Sequence, residues 1–146
     1  KGFDLSMFWQ GVYDKDVYNN QKFQTDFWSI TDAGSNKGNR LLGAWNTNNT
    51  GSTIPALTTN NTADEGRSST YFVENGSYLK LRNLQLGYNL PASFLSKFKM
   101  SSARVYLSGQ NLLTVKSKSL TCSDPENPDW NYPLATSISF GLQLGF

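Results

Sequence analysis

The last residues of the chain, 136–146, alternate between apolar and small or polar side chains and end on an aromatic residue. The apolar positions all fall on one side of this segment: Ile138, Phe140, Leu142, Leu144 and Phe146. A period of two is typical of a β-strand with one apolar and one polar face. The segment also has the length, roughly 9–11 residues, with which a tilted strand crosses the hydrocarbon core of a membrane. The pattern predicts the closing strand of an outer-membrane β-barrel, in which Ile138, Phe140, Leu142 and Leu144 face lipid.

The composition is compatible with the strands of a β-barrel and does not support a transmembrane helix or a nucleic-acid-binding protein. Apolar residues make up 38% of the 146 residues, and no run of apolar residues is long enough for a transmembrane helix. Barrel strands conceal their hydrophobicity in alternation, so a low mean hydropathy of −0.48 does not argue against a membrane protein. A net charge of +2 gives no indication of a nucleic-acid partner.

Four segments have strand character, and together they predict an all-β, antiparallel fold. We expect the strands at about residues 2–13, 70–90, 104–114 and 136–146. In the second strand the apolar phase slips near Arg82–Asn83, which indicates a β-bulge. A short helix is predicted between Asp16 and Ile30, with Asp16 as its N-cap.

The connections between these strands differ in length, and this predicts their sides of the membrane. The connections over 14–69 and 115–135 are long, whereas the one over 91–103 is short. Barrels of the outer membrane have short periplasmic turns and long external loops. We therefore expect 91–103 in the periplasm, 14–69 and 115–135 at the cell surface, and the C-terminus in the periplasm.

Four strands cannot close a barrel. An open sheet in lipid would leave unpaired backbone groups at its edges, each costing several kcal/mol. The chain is therefore expected to be the C-terminal piece of a longer polypeptide, or one of several copies that close a barrel together.

Four blocks of sequence, in order, resemble one known family. They are Phe3–Ser6 with Gln10–Tyr13, Gly76–Pro91, Arg104–Thr114, and the Asp124-Pro125-Glu126 and Tyr132-Pro133 motifs. Together they are similar to the SusC/RagA family of TonB-dependent outer-membrane transporters, over nearly the whole chain.

This resemblance implies a barrel of about 22 strands with a plugged lumen, of which the chain supplies the last four. The plug domain is not part of the chain. The resemblance further implies the outer membrane of a Gram-negative bacterium, a SusD-like surface lipoprotein as lid, energy from the TonB complex, and an oligosaccharide or oligopeptide as cargo. It also implies that the barrel-assembly machinery reads the terminal aromatic residue, Phe146.

Large aromatic residues of the loops are the candidates for contact with cargo or lid. Trp28, Trp45 and Trp130 have indole faces that can stack on sugar rings, although packing of loop against loop or against the lid is the commoner role of large aromatic residues. Arg40 can hydrogen-bond a substrate, although an arginine of this kind more often holds its own long loop in place. No catalytic or metal site is expected, because the chain has no His, no Gly-x-Ser-x-Gly motif, no P-loop and no zinc-ligand cluster. We therefore expect neither an enzyme nor a cofactor.

Two other classes remain open. A soluble β-sandwich that binds glycans would need about seven strands with frequent turns, and the long connection over 14–69 argues against it. A trimeric anchor would close one barrel from three four-strand chains, but such anchors usually enter the membrane from a helix or stalk, whereas a strand is predicted here from residue 2.

Overall fold

The computed structural model describes residues 2–27, 37–58, 64, 67–129 and 132–146. These residues form two compact units. The sheet unit contains the described residues of Lys1–Tyr13, Ser77–Ser117 and Pro133–Phe146. The loop unit contains those of Asp14–Gly76 and Lys118–Tyr132, which are connections between strands of the sheet unit.

The elements of both units are short apart from four strands. In chain order they are β1 (Phe3–Val12), β2 (Asp16–Tyr18), α1 (Asn20–Asp26), β3 (Val73–Asn75), β4 (Tyr78–Asn89), α2 (Ala92–Leu95), β5 (Ser102–Lys116) and β6 (Ser137–Gly145). Short 3-10 helices cover Asn39–Gly43, Thr70–Phe72 and Ser96–Phe98. In the part of the chain that the structure describes, no helix is both long enough and apolar enough to cross a membrane.

The sheet unit is a four-stranded antiparallel sheet with the order β1-β4-β5-β6. One row of paired residues across the four strands is apolar: Leu5, Leu86, Leu107 and Phe140. The next row is polar: Ser6, Gln85, Ser108 and Ser139. Paired residues share a face, so the sheet has an apolar face and a polar face. This confirms the predicted all-β, antiparallel fold.

A β-bulge at Arg82 keeps the apolar face continuous. Met7 of β1 pairs with Leu84, whereas Trp9 pairs with Leu81, so β4 has one residue more than β1 between these two pairs. The register of β4 against β5 also shifts between Leu81 and Asn83. The predicted phase slip is therefore confirmed. The extra residue returns the leucines before and after it to the same side of the sheet.

The strand that we predicted over 70–90 begins only at Tyr78. Its first part lies in the loop unit, where β3 pairs with β2 in a separate two-stranded sheet. Phe72, which precedes β3, is completely buried. Because its ring belongs to the core of the loop unit, this part of the segment cannot also extend β4.

The strand predicted over 104–114 is longer in the structure, since β5 runs from Ser102 to Lys116. At the C-terminus, β6 ends at Gly145, one residue before Phe146.

The predicted helix starts later than expected. Asp16 is not its N-cap but the first residue of β2, paired with Asn75. α1 begins at Asn20, and Asn19 caps it by accepting a hydrogen bond of 2.9 Å from the Lys22 N–H. The extended β2 segment rules out a helix from Asp16, and Asn19 provides the polar cap that the helix needs.

Aromatic rings pack around Phe72 in the core of the loop unit. The ring centroids of Tyr18, Phe23, Phe27 and Tyr71 lie 5.2–5.5 Å from that of Phe72. Val17, Leu120 and Cys122 form a second small apolar cluster. Residues distant in sequence thus hold the long connection in one compact unit.

Candidate functional site

A buried carboxylate joins three segments of the loop unit. Oε2 of Glu74 in β3 accepts hydrogen bonds from the Asn19 amide at 2.9 Å and from the Thr121 N–H at 2.8 Å. The Lys22 ammonium lies 3.5 Å from Oε1. The carboxylate is therefore fully supplied with donors, which is what a buried charge requires.

These contacts determine the ionisation of Glu74. Burial by itself raises the pKa of the carboxyl. The hydrogen bonds from Thr121 and Asn19 and the charge of Lys22 outweigh burial, so that the pKa lies below its ordinary value of 4.5. Glu74 is charged at neutral pH and ties α1 to the 118–132 segment.

A second carboxylate, Asp26 at the end of α1, anchors Arg40. The Oδ2 atom of Asp26 lies 3.1 Å from the Arg40 guanidinium and accepts a hydrogen bond of 2.7 Å from the Tyr71 hydroxyl. Asp26 is almost completely buried. Burial, followed by the hydrogen bond to Asp26, raises the pKa of Tyr71, so its hydroxyl stays protonated and donates.

The predicted contact residues of the loops have different surroundings. The Arg40 guanidinium is engaged by Asp26 and also lies 3.4 Å from the Thr121 hydroxyl, an arrangement that holds its own loop. Trp45 is 43% exposed and lines a cleft of about 420 Å³ with Leu41, Ala44 and Leu57. Trp28 and Trp130 lie outside the described residues.

The loop around Trp45 is held in shape by its own polar groups. The Trp45 N–H donates to the Ile54 carbonyl at 2.9 Å, and the Asn49 amide and Ser52 hydroxyl both donate to the Gly43 carbonyl. Residues 41–58 contain no charged side chain. Trp45 is therefore presented on a preformed, uncharged surface.

On the polar face of the sheet, an ion pair spans three strands. The Arg104 guanidinium of β5 lies 2.6 Å from the Asp4 carboxylate of β1, with β4 between them. A Cβ at Gly87 of β4 would lie 2.5 Å from Asp4 Oδ1 and 2.6 Å from Arg104 Nη2. Glycine at this position therefore leaves the space through which the ion pair closes.

The residues that we predicted to face lipid are all exposed on the apolar face. Their exposed fractions are 70% for Ile138, 74% for Phe140, 58% for Leu142 and 43% for Leu144. Phe146 is 89% exposed. Among the described residues, no element of the sheet unit covers these side chains.

The sequence did not indicate the Glu74 and Asp26 networks, because their members are far apart along the chain. One signal was present: asparagine is a preferred N-cap, and Asn19 precedes the helix. Among the described residues, no cluster of His, Cys, Asp and Glu side chains has the arrangement of a metal site. The Glu74 and Asp26 networks hold the loops in shape.

Comparison with known proteins finds two relatives, both of them TonB-dependent receptors. The chain is 35% identical, over 78% of its length, to TonB-dependent receptor P3 of Formosa agariphila. It is 28% identical, over its whole length, to TonB-dependent receptor P26 of the same organism. The chain spans only 10% and 16% of these two relatives. No family model matches the chain.

Solved structures agree with these relatives. The fold matches a chain of the RagAB peptide transporter with a TM-score of 0.76 at 33% identity. It also matches a chain of the RagAB peptide importer in its open-open state, with a TM-score of 0.73 at 31% identity. In both cases the whole of this chain aligns with 16% of the other chain.

Proposed function

The chain belongs to the SusC/RagA family of TonB-dependent receptors, and on this basis we propose that it forms part of the wall and the external loops of an outer-membrane nutrient importer. The observation that supports the proposal most strongly is the sheet itself. It is a single layer with an exposed apolar face and a polar face joined by the Asp4–Arg104 ion pair. Lipid on one side and an aqueous lumen on the other suit such a layer.

The alternative classes fit less well. A β-sandwich needs a second sheet over the apolar face, and in the described residues the other sheet is the two-stranded pair of β2 and β3 in the loop unit. A trimeric anchor is not favoured, because the chain aligns along its whole length with part of a much longer transporter chain.

We further propose an orientation. The short connection between β4 and β5 lies on the periplasmic side, with the C-terminus, and the two long connections lie at the cell surface. The unequal connection lengths support this assignment. Phe146, next to the end of β6, is then the aromatic residue that the barrel-assembly machinery reads.

The proposed cargo is an oligopeptide or an oligosaccharide, taken up with a SusD-like lipoprotein as lid and driven by the TonB complex. The peptide importers among the structural relatives favour the oligopeptide. Trp45, on its uncharged surface, is the described residue best placed to contact cargo or lid. Arg40 supports this surface through Asp26.

Two measurements on the full-length receptor test the proposal. The first is uptake of labelled oligopeptides and oligosaccharides by cells, which should cease when TonB is deleted. Uptake that is unaffected by the loss of TonB would refute active import.

The second measurement uses epitope tags to test the orientation. A tag after Gly51, where the backbone has open space, should bind antibody on intact cells. A tag after Ser93, in the short connection, should bind only after the outer membrane is permeabilised. The reverse pattern would refute the orientation.

A further inference from the structure

The connection between β4 and β5 presents two aromatic rings to solvent. Its helix α2 continues into the 3-10 helix Ser96–Phe98. The rings of Phe94 and Phe98 are in contact, with centroids 5.0 Å apart, and are 43% and 59% exposed. A pair of exposed phenylalanines on a short connection is unusual for a surface that meets only water.

The same connection is basic. Lys97 and Lys99 are both exposed. The sequence has no acidic residue between Glu74 and Asp124, so no carboxylate of this stretch neutralises them. The connection therefore combines two exposed aromatic rings with two exposed lysines.

The backbone holds this arrangement in place. Lys99 adopts a left-handed conformation with φ 54°, which ends the 3-10 helix. The Met100 N–H donates to the Leu95 carbonyl at 3.2 Å. The rings and lysines are thus displayed on a folded turn that has an internal hydrogen bond of its own.

The connection lies at the end of the strands. The Leu90 N–H donates to the Ala103 carbonyl and the Ser101 N–H to the Gly145 carbonyl, both at 2.9 Å. These bonds continue the ladders of β4, β5 and β6 up to the turn. If the strands cross a membrane, as proposed above, the turn lies at the level of the lipid headgroups.

We propose that residues 91–101 form a binding surface for anionic phospholipid headgroups, with Phe94 and Phe98 in the interfacial region and Lys97 and Lys99 on the phosphates. The inference rests on the proposed function. Transmembrane barrels have girdles of aromatic residues at both interfaces, lysines extend their ammonium groups towards headgroups, and basic residues next to a membrane attract anionic lipid. Because Lys97 and Lys99 make this surface basic, charge complementarity favours the negatively charged phosphates of lipid headgroups as its ligand.

The test compares two charge variants of the full-length receptor. The receptor is reconstituted in nanodiscs of phosphatidylcholine mixed with phosphatidylglycerol, and the lipids that it retains are counted by native mass spectrometry. In Lys97→Gln/Lys99→Gln we expect the retention of phosphatidylglycerol relative to phosphatidylcholine to fall about fivefold for each lysine, which is the fold-change equivalent of about 1 kcal/mol. Phe94→Ser/Phe98→Ser should lower the retention of both lipids.

The control is Lys116→Gln/Lys118→Gln, which removes the same charge near the other end of β5. It should leave phosphatidylglycerol retention unchanged. Unchanged retention in Lys97→Gln/Lys99→Gln, or an equal loss in both charge variants, would overturn the inference. Localisation of the receptor and its cargo uptake are measured in parallel. A receptor outside the outer membrane would refute the proposed function, whereas a correctly placed receptor without the lipid preference would refute this inference alone.

Discussion

Glu74 shows how a single side chain organises a loop. It receives hydrogen bonds from Asn19 and Thr121 and the charge of Lys22, and these partners come from two separate stretches of the chain. Since the carboxylate is buried, losing any of these partners would leave a charged group with unmet hydrogen bonds. We therefore expect the shape of the loop unit to depend on this residue.

Glu74→Gln should lower the free energy of unfolding of the loop unit by about 1–3 kcal/mol, because the amide has a single acceptor oxygen and attracts Lys22 less strongly. The measurement is hydrogen exchange of the Thr121 amide in the full-length receptor. Faster exchange is expected in the variant. Equal exchange in variant and wild type would show that the carboxylate does not hold this loop.

The same residue predicts a dependence on pH. The pKa of Glu74 is lower in the folded protein than its ordinary value of 4.5. Its contribution to stability is therefore complete above that value and is lost as the pH falls through the lowered, folded-state pKa. The protection factor of the Thr121 amide, which is the exchange rate corrected for the intrinsic effect of pH, should fall on acidification more in wild type than in Glu74→Gln, and parallel pH profiles would contradict the assignment.

Gly87 is the second residue whose identity follows from its surroundings. In Gly87→Ala the new methyl group would meet Asp4 and Arg104 at 2.5–2.6 Å, so the ion pair has to open. We expect Gly87→Ala to lower the midpoint of urea unfolding of the full-length receptor. The midpoint should fall less when Gly87→Ala is added to a receptor that already carries Asp4→Asn. Gly51→Ala, which meets no atom within 4 Å, is the matched control.

At the scale of elements, β6 shows the two-sided character of the sheet. Phe140 pairs with Leu107 on the apolar face, and the neighbouring Ser139 pairs with Ser108 on the polar face. Adjacent residues of one strand are therefore expected to meet opposite environments, lipid and lumen. The bulge in β4 keeps this division consistent across the other strands.

Phe140→Arg should destabilise the full-length receptor by roughly 2–4 kcal/mol, because it would place a charge on the proposed lipid face near the middle of the membrane. Ser139→Arg adds the same side chain one residue away and should be nearly neutral. Folding titrations in lipid vesicles provide the comparison. Equal effects of the two substitutions would argue against a membrane-facing strand.

At the scale of the whole molecule, the described residues leave two kinds of surface uncovered. In the described residues, β1 and β6 each pair with another strand on one side only. The large apolar side chains of the sheet are mostly exposed. Unpaired strand edges and uncovered apolar faces both promote association.

The 146-residue chain expressed alone should therefore not form a stable monomer in water. We expect aggregates or mixed oligomers in size-exclusion chromatography with light scattering. A monodisperse monomer that unfolds cooperatively would instead support a self-contained soluble domain.

The sequence by itself determined the features that depend on neighbouring residues. The alternation of Ile138, Phe140, Leu142 and Leu144 predicted one exposed apolar face, and the phase slip predicted the bulge at Arg82. These features could be predicted because side chains alternate across a strand wherever the strand is placed. The four-stranded antiparallel arrangement followed from the same patterns.

Only the tertiary structure decided the features that depend on distant residues. It assigned Thr70–Asn75 to the loop unit, because Phe72 packs among rings from other segments. It brought Arg40 to Asp26, and Glu74 to Thr121. Local periodicity carries no information on such pairs, because contacts between distant segments arise only once the connections fold. A charge that is buried in this process needs a partner, and the fold decides which residue is close enough to be that partner.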